Sequence, residues 1–68
     1  MTEIIFLVED AVEGGFNAKA IGNSIFTEAD TIEELRKNVR EAVECHFEPD
    51  QMPKLIRLHM VKEEVITV

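Results

Sequence analysis

The sequence predicts an α+β domain in the order β-β-β-α-β: an antiparallel three-strand meander, a helix packed on one face of the sheet, and a fourth strand. Three observations carry that prediction. The run Glu3–Glu9 (EIIFLVE) is β-branched and aromatic, a composition suited to a strand. Two glycine-containing breaks, Gly14-Gly15 and Gly22-Asn23, divide the next stretch of chain into short segments. From Ile32 the apolar residues change to a spacing of three and four, the mark of an amphipathic helix.

In the first strand Ile4, Phe6 and Val8 point to one side, and Ile5 and Leu7 to the other. Both sides are apolar, so the strand is expected at the centre of the sheet with both faces at least partly covered. Gly14-Gly15 marks a hairpin loop. Phe16–Ile21 then alternates Phe16, Ala18 and Ala20 against Asn17, Lys19 and Ile21, as a half-buried strand does. Gly22-Asn23 supplies residues that tolerate positive φ in a tight turn, and a short third strand is expected over Ser24–Glu28.

Thr31-Ile32-Glu33-Glu34 fits a capping box, with Thr31 as N-cap and Glu34 at the third helical position. Glu33 and Glu34 also suit the positive end of the helix dipole. The apolar stripe Ile32, Leu35, Val39, Ala42, Val43 and His46 or Phe47 predicts a helix over Ile32–Phe47, with Arg36, Lys37, Arg40, Glu41 and Glu44 on its borders and outer side. Pro49 disfavours continuation. Asp50–Pro53 is expected as a loop. Leu55–Lys62 reads as a fourth strand with Ile56, Leu58 and Met60 buried and Arg57 and His59 outward. Val65–Val68 (VITV) is a further β-prone stretch.

The chain has 68 residues and one cysteine, Cys45. One domain over residues 1–68 is expected, without an internal disulfide and in a reducing, cytoplasmic setting. The first twelve residues carry three acids and no base, unlike a secretory leader. No apolar run approaches the roughly 18 residues of a membrane span. A domain this small buries only about 60% of the surface its unfolded chain exposes. Self-association, to a dimer or higher oligomer, is therefore the expected reinforcement.

The net charge of −7 is uneven. Residues 1–31 hold six acids against Lys19 alone, a net −5; residues 32–68 hold eight acids against six bases, a net −2. Such a surface repels a phosphate backbone, so no direct nucleic-acid binding is expected. A basic protein is the natural partner, although excess charge also keeps small domains soluble. The candidate partner-binding residues are the acids at predicted loop ends: Glu9, Asp10, Glu13, Glu28 and Asp30.

Little in the sequence suggests catalysis. Clustered carboxylates can hold Mg²⁺, but acids at loop ends are ordinarily a solvated rim, and a metal site needs converging, supported ligands. Cys45 and His46 are helix neighbours about 100° apart, which cannot readily share an ion. His59 has no Cys or His at zinc-binding spacing, and the glycines are explained by turns rather than by a phosphate loop. No catalytic residue, metal ligand or cofactor is predicted. The apolar residues say more. One helix covers one sheet face, leaving Ile5 and Leu7 to be covered by a second copy, by a partner, or by loops and the tail. With Val65, Ile66 and Val68, which could pair at a sheet edge, they form the predicted oligomer interface.

The glycine-broken hairpin GGFNAKA (Gly14–Ala20) and the capped helix TIEELRKNVREAVECHF (Thr31–Phe47), introduced by SIFTEAD (Ser24–Asp30), resemble the HicB-like antitoxin family in its short, single-domain members. The resemblance runs from about Ile4 to Met60 and is strongest over Gly15–Phe47; its signatures are architectural rather than chemical. It implies a partial RNase H-like fold without RNase H catalysis, dimers or larger assemblies, and a domain that masks HicA, a small basic mRNA-cleaving toxin. Full-length antitoxins of this kind usually add a C-terminal DNA-binding module. This sequence stops at Val68, which leaves no room for one, so DNA repression is not expected of it. An orphan oligomer with a structural or small-ligand-binding role is the alternative.

Overall fold

A computed structural model describes residues 2–68. The strands β1 (Glu3–Asp10), β2 (Phe16–Ala20) and β3 (Phe26–Ala29) precede helix α1 (Ile32–His46); a 3₁₀ turn at Pro49–Gln51 and strand β4 (Leu55–Met60) come after it. The four strands form one sheet in the order β3-β2-β1-β4. β1 is antiparallel to β2, and β2 to β3, while β4 lies parallel to β1. The α1 crossover permits that parallel pairing, which a tight hairpin cannot provide. The chain is thus α+β with a mixed sheet and one helix on it, the predicted architecture.

The register explains which residues are buried. Phe6 faces Ala20 and Leu58, and Val8 faces Ala18 and Met60. Ile4, Phe6 and Val8 therefore share a face with Ala18 and Ala20, and Leu35, Val39 and Val43 of α1 close over it. The small Ala18 and Ala20 on β2 leave space for the helix above them. Ile25, in the loop before β3, completes the core.

α1 begins as its sequence requires. Thr31 is extended (φ −128°, ψ 160°), and its Oγ1 accepts the Glu34 backbone N–H at 3.1 Å. In place of the reciprocal bond of a full capping box, the Thr31 hydroxyl donates to the Glu34 carboxylate at 3.5 Å. Phe47 ends the helix by donating its N–H to the Val43 carbonyl.

Three details differ from the sequence expectations, and a fourth resolves an alternative they left open. β3 starts at Phe26 rather than Ser24, because Ala20 N–H bonds to the Ile25 carbonyl and closes a loop over residues 21–25, wider than a two-residue turn. β4 stops at Met60; Val61 N–H still reaches the Val8 carbonyl at 2.8 Å, and regular pairing ends there. Met60 is exposed and Ile56 and Leu58 are only half-buried, because the helix lies over β3 and β2 rather than β4. His46 is exposed, stacked edge-on against half-buried Phe47 at 4.9 Å, so Phe47 rather than His46 continues the apolar stripe.

Gly15 has a strict steric role. It adopts φ +81°, and a Cβ there would lie 2.5 Å from the Ala29 carbonyl oxygen; Gly14, at φ +102°, has open space around it. The backbone therefore sets two outcomes for urea titration. Thr31→Ala lowers the unfolding free energy by about 1 kcal/mol through loss of the cap. Gly15→Ala costs more than Gly14→Ala in the same assay, since both lose positive-φ freedom at about 1 kcal/mol and only Gly15 also meets backbone.

Candidate protein-binding surface

The sheet face away from α1 is open. It carries Ile5 and Leu7 of β1, Lys19 of β2, Phe26 and Glu28 of β3, and Leu55, Arg57 and His59 of β4, with Ile21 just past β2 on the same side. Phe26 is 61% exposed and Leu55 62%, while Ile5 and Leu7 are half-buried by their neighbours. Both sides of the first strand are thus at least partly covered, as expected, but only the α1 side is sealed; Ile5 and Leu7 are covered by their sheet neighbours alone. Glu3 and Arg57 form an ion pair across this open face at 2.9 Å.

The predicted acids gather at one end of the molecule, where β1 and β3 finish, the β1–β2 hairpin turns and α1 begins. All five are exposed, but they do not form one cluster. Glu9 and Glu28 lie in one cross-strand row on the open face, either side of Asn17, whose side-chain oxygen is buried without a hydrogen-bond partner. Glu13, Glu28 and Asp30 instead line an open cleft of about 650 Å³ beneath the hairpin, together with Glu34 and Asn38. Asn38 closes its floor by donating to the Glu28 carbonyl at 3.1 Å. Asp10 belongs to neither group: it pairs with Phe16 on the α1 side of the sheet. Among the described residues no three His, Cys, Asp or Glu side chains converge closely enough to hold a metal. The arrangement is a diffuse negative rim.

The predicted oligomer residues separate into two surfaces. Ile5 and Leu7 belong to the open face. Val65, Ile66 and Val68 lie on a segment beyond β4 that has no regular structure and is exposed throughout. Local sequence signals do not mark Ile21, Phe26 and Leu55 as part of the same surface as Ile5 and Leu7. Alternation puts Ile21 opposite Ala18 and Ala20, but the shared face of Phe26 and Leu55 depends on register with β2 and β1, which local alternation does not specify.

The fold and its surface define a class: a small α+β domain with an open apolar sheet face and a negative rim. Comparison with known proteins places the chain more closely. It is 54% identical over 52 residues to a UPF0150 protein of Archaeoglobus fulgidus, covering 76% of this chain and 77% of the relative. It is 39% identical over 66 residues to a UPF0150 protein of Thermotoga maritima, covering 97% and 93% respectively. The chain belongs to the UPF0150 family. No family model matches it, and no solved structure gives a significant match. No helix of the described residues is long and apolar enough to cross a membrane.

Phe26 and Leu55 already lie mostly in solvent, so replacing both with Ser is expected to change stability by no more than about 0.5 kcal/mol per site. Phe6→Ala, in the sealed core, should cost about 3–5 kcal/mol. Urea denaturation of the two variants checks the contrast.

Proposed function

We propose that this protein is an antitoxin-like binding module, without catalysis of its own, that masks a small basic ribonuclease of the HicA type. One observation carries the reading. The open apolar face runs directly into the acidic end, through the row Glu9–Asn17–Glu28 beside Leu7, Lys19 and Phe26. Apolar area supplies adhesion and neighbouring carboxylates attract a cationic partner, a combination that suits masking of a basic protein. The resemblance of the hairpin and capped helix to HicB-like antitoxins supports the same reading.

In this mechanism the negative end raises the encounter rate, and Ile5, Leu7, Ile21 and Phe26 then dock against apolar surface around the toxin's nucleic-acid site. The bound domain blocks mRNA from that site by occupying it. Lys19, beside the acidic row, and His59, on β4 opposite Leu7, are cationic or titratable groups on the same face that can meet acids of the partner.

The test is binding to, and inhibition of, a purified HicA-type ribonuclease from the same organism. Glu9→Lys with Glu28→Lys is expected to slow association about tenfold at low salt and to leave folding intact, since rim charges act mainly on rate. Phe26→Asp should chiefly speed dissociation. An unaltered association rate in the charge-reversed variant would reduce the acids to solubility. Failure of the unmodified protein to bind would favour an orphan oligomer with a structural or small-ligand role.

A further inference from the structure

A second unfilled surface lies on the other side of the sheet. Because α1 sits over β3 and β2, a groove of about 240 Å³ remains between the helix and β4. Val39, Ile56 and Leu58 give it apolar lining, and Arg36 and Arg40, one turn apart on α1, edge it. Among the described residues the one ion pair is Glu3–Arg57, so neither of these arginines is paired. β4 is the last strand of the sheet, and its outer edge presents free backbone donors and acceptors beside the groove.

The segment after β4 has the complementary chemistry. Lys62-Glu63-Glu64-Val65-Ile66-Thr67-Val68 pairs acids with β-branched residues, and Val65 and Ile66 are 82% and 75% exposed. It stands away from the body. The longest axis of the molecule is 52 Å against 20 and 17 Å for the others. An eight-residue strand spans only about 26 Å, so roughly half of that axis is an arm continuing past β4. In an extended arm, Glu64, Ile66 and Val68 share one side. That side offers a carboxylate to the arginines and two branched apolar groups to Ile56 and Leu58.

We propose that the arm Glu63–Val68 of one copy adds as an edge strand to β4 of a second copy, with Ile66 and Val68 in the groove and Glu64 against Arg36 and Arg40. The arm's own groove is a poorer destination. To reach it the chain must reverse within residues 61–64, Val-Lys-Glu-Glu, which contain none of the Gly, Pro, Asn or Asp that tight turns use. Reciprocal exchange between two copies closes a twofold dimer. It uses the α1 side of the sheet and leaves the open face free for another protein.

Analytical ultracentrifugation of the full chain at micromolar concentration tests this. The unmodified protein is expected to be dimeric, and Ile66→Asp to raise the dimer Kd at least about tenfold by placing a charge in an apolar groove. Because Ile66 lies outside the folded body, this variant should keep its helical circular dichroism. Glu64→Arg alone, and Arg36→Glu with Arg40→Glu, should each weaken the dimer; all three changes in one chain should restore it. A monomeric unmodified protein, with or without its arm docked on itself, would overturn the proposal. An Ile66→Asp dimer of unchanged Kd would do the same, as would a charge-swapped chain no tighter than the singly reversed ones.

Discussion

The width of one helix governs this molecule. An α-helix with its side chains is about 10–12 Å across, and neighbouring strands lie about 4.8 Å apart, so one helix seals two or three strands of a four-stranded sheet. α1 takes the β2 and β3 side, where Ala18 and Ala20 let it approach, and stacks Leu35, Val39 and Val43 onto Phe6 and Val8. β1 gains a dry face, and β4 keeps Ile56 and Leu58 only half-covered. The core, the groove beside the helix and the open second face all result from that fit.

Charge is arranged around the same geometry. Glu33 and Glu34 occupy the first turn of α1, where the helix dipole favours them. The ends of β1 and β3 lie at the same end of the molecule, so Glu9, Asp10, Glu28 and Asp30 add their charge to it. Arg36 and Arg40 instead border the apolar groove. The molecule thus presents two apolar regions of different electrostatic character: one joined to a negative rim, the other edged by cations.

Most of the fold was legible along the chain because its signals are local. The Thr31 cap and the spacing of Leu35, Val39 and Val43 placed α1 to within a residue. Alternation separated Ile4, Phe6 and Val8 from Ile5 and Leu7; because both sets are apolar, the packing of α1 decided which became the core side. The misplacements occur where pairing overrides propensity. Ser24 and Ile25 are suited to a strand but close a loop onto Ala20, and Met60 alternates correctly yet lies beyond the helix's cover. The candidate sites were less legible. The five acids were expected as one rim, and they gather at one end, but Asp10 turns to the α1 side while Glu9 and Glu28 share a row on the other. The apolar residues expected to form one interface divide between the open face and the arm.

The residues in their linear arrangement settle which segments are strands, where the helix starts, that β1 carries two alternating apolar sets, and that the first half is acidic. Each of these depends on neighbours within a few positions, through dihedral preference, capping or alternation. The parallel seating of β4 beside β1, the shared face of Phe26, Leu7 and Leu55, and the groove edged by Arg36 and Arg40 depend on residues far apart in the chain. Register and helix placement settle those, because a sheet face is composed across strands and a groove exists only between elements that have already packed.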